Sequence, residues 1–320
     1  MLENDNKAFE SVVESQENSD FLKDLANSTD SKKADTLVNK KLNEWKTDLV
    51  AKNFDKVASK INDTKKLKWY VNKIEEKWNL SSLSKSVNYI MSSEVVKHIM
   101  DKVSNSIDAN VVDSFSKNCS ADVINKLDVK WAKQYINNVD KFGCLQNMAS
   151  WINKISNKEV VKDVIEKVND SHDGNVITKF AKSITAPTIN KIEPNNAISF
   201  VNNVAEKWGI GQIASKISGI SNKEVSKNIV NKVTEKWDSV ALKTISNNLD
   251  EWTITSMNKS EINKFARKSL MKGGQECAVA MAWNNHLMKK LDEGTSSLIM
   301  EQANSADADL KKNLSWLYCY

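Results

Sequence analysis

Apolar residues fall three and four positions apart along most of the chain, as in Val201, Val204 and Trp208. That is the spacing of one face of an α-helix. No stretch alternates apolar and polar residues as a half-buried strand would. The apolar positions also recur over a longer interval. Tyr70, Tyr135, Phe200 and Phe265 stand 65 residues apart, and Val71/Ile136/Val201, Ile74/Val139/Val204 and Val95/Val160/Val225 keep the same register. Self-similarity at a fixed period marks a stacked repeat, in which each unit buries its apolar face against its neighbours. The expected fold is therefore all-α: an α-solenoid of stacked helical hairpins.

Within one 65-residue copy, residues 67–131, the pattern predicts helices near 67–78, 82–91, 93–105, 109–118 and 121–128. Ser92, Ser156 and Ser221 open the third helix of successive copies. Ser156 and Ser221 stand three residues before Glu159 and Glu224, the spacing of a capping box. Pro187 sits in a first turn, where its missing N–H costs nothing. The phrase Phe200–Trp208 matches Ile229–Trp237, so the period divides into 29 and 36 residues, each a hairpin, the longer with an extra short helix. Val38–Trp45 carries the same phrase. The expected organisation is an acidic N-terminal segment and capping helix over 1–30, then a partial repeat over 31–66. Repeats follow over 67–131, 132–196 and 197–264, with a degenerate capping repeat and tail over 265–320. Residues 1–20 and the tail after about Ser305 are expected to be loosely held.

Composition agrees with helix throughout, because two prolines and eight glycines in 320 residues leave few interruptions. The charge is uneven. Residues 1–30 carry eight acidic side chains against Lys7 and Lys23, so a net +5 leaves +11 on residues 31–320. A dilute basic body is compatible with an acidic protein surface or a nucleic-acid backbone. Arg267 is the only arginine, which disfavours bidentate reading of guanine or phosphate. Cys119, Cys144, Cys277 and Cys319 show no paired spacing, and Cys119 falls in an apolar column; a reduced environment is expected. No leader pattern opens the chain, and no apolar run approaches the length of a membrane span.

No catalytic or metal constellation is legible, and no cofactor is expected. His98, His172 and His286 have no partner at ligand spacing, and Lys272-Gly273-Gly274 lacks the preceding strand of a phosphate loop. The chain is thus expected not to be an enzyme. Aromatics that break their columns are the candidate partner-binding residues: Trp69, Tyr89, Trp131 and Trp151 occupy slots that other copies fill mostly with polar groups. They form either a binding patch or a locally different repeat junction. Trp78 and Trp208 share a column, and Trp45 and Trp237 close the same phrase, so their recurrence assigns them to the core. The expected function is a non-enzymatic helical-repeat scaffold that binds another protein, in the setting of a pathogen or parasite effector engaging a host protein. The alternative is sequence-neutral binding of nucleic-acid backbone by lysines.

Overall fold

A computed structural model describes residues 2–315, and the side chains of residues 12–312. Cys319 and the last residues of the expected tail lie outside the described residues. The chain forms two compact units, Met1–Val160 and Val161–Tyr320. Among the described residues every regular element is helical.

Unit 1 holds α1 (Leu2–Asn27), α2 (Ser31–Asn43), α3 (Thr47–Lys52), α4 (Phe54–Lys60), α5 (Thr64–Glu76), α6 (Ser93–Asn105), α7 (Ala109–Asn118), α8 (Ala121–Asn125) and α9 (Val129–Lys141). Short 3₁₀ segments lie at Leu80–Ser84, Ser86–Tyr89, Leu145–Ser150 and Ile152–Lys154. α10 (Lys158–Asp170) runs across the boundary between the units. Unit 2 continues with α11 (Gly174–Ser183), α12 (Ala186–Ile189), α13 (Pro194–Glu206), α14 (Ile210–Ala214), a 3₁₀ turn at Ile217–Gly219, α15 (Lys223–Lys236), α16 (Ser239–Asn248) and α17 (Glu251–Ser256). It closes with α18 (Lys259–Trp283), which breaks at Gly274 into a long and a middle segment, α19 (Asn285–Lys290), α20 (Glu293–Ser305) and α21 (Ala308–Ser315).

In each unit the stack is built from repeated triplets of a long, a middle and a short segment. Long helices open at residues 31, 64, 93, 129, 158, 194, 223, 259 and 293. In unit 1 the middle segments pack in the order α3, Leu80–Ser84, α7, Leu145–Ser150. The short ones follow as α4, Ser86–Tyr89, α8, Ile152–Lys154. Neighbouring long helices run the same way: Lys68 meets Glu94 at 3.1 Å near the first turns of α5 and α6, and Lys102 meets Glu75 at 2.7 Å near their last. Helix carboxyl ends therefore collect along one edge of unit 1. α1 packs on α2 and α4, burying Phe21 and Leu25.

Two local expectations are corrected. The helix expected at 82–91 is two 3₁₀ segments, because its serines satisfy groups elsewhere: Ser86 donates to the carbonyls of Ala51 and Lys52, and Ser82 to Asp48. Such side-chain bonds compete with α-helical geometry. The shorter repeats thus also carry a third segment, tightened to 3₁₀. The capping serines are likewise displaced. Asn157 accepts from the N–H groups of Glu159 and Val160, and Asn222 from those of Glu224 and Val225. Ser156 and Ser221 instead bond Asn125 and Asn190 of the preceding triplet.

The aromatic column is buried, with Tyr70, Tyr135, Phe200 and Phe265 between 0% and 1% exposed. Its two phenols differ. Tyr70 donates its hydroxyl to Asp35, whereas the Tyr135 hydroxyl is buried without a hydrogen-bond partner. Burial drives both phenols above their ordinary range, Asp35 adding to the effect at Tyr70. Tyr135→Phe is therefore expected to raise stability by about 1 kcal/mol, since it removes a dehydrated hydroxyl. Tyr70→Phe should lower it by about 1–2 kcal/mol, as a hydrogen bond to a carboxylate is lost. Urea midpoints at neutral pH check both signs.

Candidate functional site

Among the described residues, left-handed backbone falls mostly at helix carboxyl ends. Trp45, Trp78, Trp208 and Trp237 have φ of 62°, 61°, 58° and 56°, in the left-handed region. After α2, α5 and α13 the chain closes in the same way. The Trp78 N–H donates to Glu75 O at 2.9 Å and the Asn79 N–H to Ile74 O at 3.0 Å. Equivalent pairs are Trp45 to Leu42 with Lys46 to Lys41, and Trp208 to Ala205 with Gly209 to Val204. This is the Schellman closure, whose left-handed residue is ordinarily glycine. After α9 the same two bonds are made around Gly143, at φ 67°. An L side chain in that conformation costs roughly 1–2 kcal/mol, because Cβ crowds the following carbonyl. Tryptophan thus stands where glycine would sit at lower cost.

These side chains are turned outward. Trp45 is 74% exposed, Trp78 81%, Trp208 76% and Trp237 40%. The expectation that they are core residues is corrected. Each helix stops before its tryptophan, and the left-handed residue reverses the direction in which Cβ points. The helical spacing that joins Trp208 to Val204 does not hold beyond Glu206. Replacing Trp78 or Trp208 by Gly is expected to leave stability unchanged or raise it by up to about 1 kcal/mol. A measured loss above about 2 kcal/mol would make these rings packing elements.

Lysines lie over several of these indoles within each unit. Lys77 Nζ is 3.2 Å from the Trp45 ring centre, Lys236 Nζ 5.4 Å from Trp208, and Lys268 and Lys272 Nζ 4.2 and 5.2 Å from Trp237. Trp252, half exposed, has Lys223 at 3.9 Å. Trp45, Trp208, Trp237 and Trp252 therefore each carry a cation–π pair. Between the carboxyl ends of α2 and α5 a cleft of about 290 Å³ opens, lined by Leu42, Asn43, Trp45, Thr47, Trp69, Lys73, Glu76 and Lys77.

The column-breaking aromatics are distributed differently from one another. Trp69 is 43% exposed on α5, stacks edge-on to Tyr70 at 5.4 Å and forms one wall of that cleft. Tyr89 is exposed in the 3₁₀ segment Ser86–Tyr89. Trp131, in the first turn of α9, is partly covered. Trp151 is only 7% exposed, and its indole N–H has no hydrogen-bond partner. No ring contact joins any two of the four among the described residues. α6 lies between the helices of Trp69 and Trp131, and α8 between the segments of Tyr89 and Trp151. Trp151 belongs to the core, so an exposed patch of all four is corrected to three separate positions. Polar neighbours in its column misled, because they are themselves satisfied inside: Ser86 is buried on two carbonyls, and half-buried Lys216 donates to Ala181 O at 2.7 Å. Sequence reasoning missed the tryptophans at helix carboxyl ends, where Gly143 in the Trp78/Trp208 column marks a left-handed turn.

Many lysines are engaged within the chain. Lys60, Lys126, Lys268 and Lys290 donate to backbone carbonyls of Ala26, Ile90, Thr234 and Ile254. Others pair with acids, as Lys66 does with Asp35 and Lys243 with Glu276. His98 bonds Asn72, and His286 faces Glu251 at 3.3 Å. No group of three or more metal-ligating side chains converges among the described residues. Cys119, Cys144 and Cys277 are buried free thiols, and burial raises each thiol above its ordinary range. No described helix is long and apolar enough to cross a membrane.

No model of a known protein family matches the chain, and no curated protein matches it. Among solved structures, a circular tandem repeat protein with novel repeat topology and enhanced subunit contact surfaces aligns over 89% of this chain and 74% of its own. The identity is 11% and the TM-score 0.24, values too low to bear on function.

Proposed function

We propose that the protein is a non-enzymatic helical-repeat scaffold that binds another protein through indoles at its helix ends. The observation that carries this reading is Trp45, Trp78 and Trp208, each about three-quarters or more exposed in a backbone conformation that favours glycine. A strained, exposed aromatic is unfavourable to the isolated chain, and strain of this kind concentrates at functional positions. Tryptophan is also the side chain most enriched among binding hot spots. Trp69 within α5, Tyr89 at the end of its 3₁₀ segment and Trp131 in the first turn of α9 extend the same reading to other positions. An effector engaging a host protein is its most specific form, and that form rests on composition alone.

Backbone binding of nucleic acid is the weaker reading, because so many lysines already hold acids, carbonyls and rings. The test is capture of partners by the immobilised full chain, run beside Trp208→Gly. A protein retained by the parent and lost with Trp208→Gly supports the scaffold. The reading fails if retention is indifferent to replacing Trp45, Trp78 and Trp208. It also fails if the chain holds oligo-dT at low salt and releases it at moderate salt, the signature of phosphate contact.

A further inference from the structure

In unit 2 the ends of α13, α15 and the long segment of α18 form a row in which indoles alternate with lysines. α15 and α18 run the same way: Lys227 meets Glu261 at 3.2 Å near their first turns, and Lys268 donates to Thr234 O at 2.9 Å further along. Lys236, the last residue of α15, lies over Trp208 at the end of α13. Lys268 and Lys272 of α18 lie over Trp237 at the end of α15. These ammonium groups are held in place but not neutralised. Among the described residues no acid pairs with Lys207, Lys236, Lys268 or Lys272. Lys232 holds Glu235 at 3.0 Å, and Asp238 caps α16 by accepting from the N–H groups of Val240 and Ala241. With Glu206 the acid that remains, positive charge is in excess. Unit 1 differs, because Lys46, Lys73 and Lys102 are taken by Glu17, Glu76 and Glu75.

We propose that this row binds an acidic segment of a partner protein, extended across the helix ends, with a carboxylate at every third residue reaching successive lysines. The inference rests on the scaffold reading above and names the chemistry of its partner. Charge supplies the first argument. An ammonium over a ring keeps its charge, and a side chain already ordered by that ring loses little freedom when a carboxylate arrives. Burial and the neighbouring Lys264 hold the Lys268 ammonium below its ordinary range, with Glu235 opposing them, and an incoming carboxylate relieves both. Spacing supplies the second. Packed helices lie about 8–10 Å apart. A polyproline-type chain advances about 3.1 Å per residue with three residues per turn, so it returns a side chain to one face about every 9 Å. Nucleic acid suits the row less well. Single strands are held by stacking bases on bare aromatic faces, and ammonium groups stand over both Trp208 and Trp237. Arg267 is already taken by Thr295 and Asp292.

Fluorescence anisotropy of the full chain with a labelled peptide repeating Glu-Ser-Pro tests it. The peptide is expected to bind, and to bind better than one of the same composition with its glutamates in a single block. Lys236→Gln and Lys272→Gln should each weaken binding about two- to fivefold, the size of single exposed ion pairs, and the double variant more than either. Both lysines sit over rings and hold no backbone carbonyl, so helix content by circular dichroism should not change. A chain that ignores the peptide overturns the proposal, as does affinity indifferent to both substitutions or equal for the two peptides. Tighter binding of oligo-dT or of phosphatidylserine vesicles at the same salt also overturns it and gives the row to phosphate. If the peptide fails while capture of a partner still depends on Trp208, the acidic segment falls and the scaffold stands. If that dependence on Trp208, Trp45 and Trp78 is lost as well, both fall.

Discussion

Phe200→Ala should lower the free energy of unfolding by about 3–5 kcal/mol, and Trp208→Gly, eight residues further along, should lower it not at all. Phe200 is 1% exposed on α13, between Ala197, Val201 and Val204, which are buried with it. Removing the ring leaves a cavity that stacked helices on both sides cannot fill, since close-packed interiors relax only in part. Trp208 has more atoms to lose, yet 76% of its surface already faces water. Its removal leaves no cavity, and glycine relieves the left-handed strain. Guanidinium titrations of the two variants decide the matter. Equal losses would mean that the indole is buried, and equal indifference would mean that the Tyr70/Tyr135/Phe200 column is not the core.

Trp151→Ala should cost about 3–5 kcal/mol, while Trp131→Lys should stay within about 1 kcal/mol, as surface substitutions do. The backbone around Trp151 is a pair of 3₁₀ segments, with Met148, Ala149 and Ile152 buried beside it. Its indole fills space that serine and lysine fill differently in the other triplets. Trp131 lies in the first turn of α9, where its own N–H is held by Asp128 at 3.1 Å and its side chain is partly open. Thermal unfolding of both variants reads the difference. A small loss for Trp151→Ala would return it to the surface and restore the group of four column-breaking aromatics.

Legibility followed the helices. Helices expected at 93–105 and 109–118 stand at Ser93–Asn105 and Ala109–Asn118, because caps and a clean apolar face bounded them on both sides. The expected 82–91 helix failed because serine hydroxyls bond across the stack to Lys52 and Asp48, a choice no local spacing records. The candidate site was half legible. Column-breaking picked out Trp69 and Tyr89, which are exposed, and Trp151, which is not. It missed Trp78 and Trp208, because recurrence is the same whether a residue is repeated for the core or for a turn.

The sequence by itself determined that the chain is helical, where most long helices begin, and which side chains form the apolar stripe. Those properties come from bonds and contacts within a turn or two of helix. Only the tertiary structure decided which aromatics face water. That depends on where each helix stops, on the single left-handed residue that redirects Trp45, Trp78 and Trp208, and on which carbonyls of the neighbouring triplet need a donor. Burial is set by what packs against a side chain, and the atoms that cover Trp151 or leave Trp78 bare belong to segments distant along the chain.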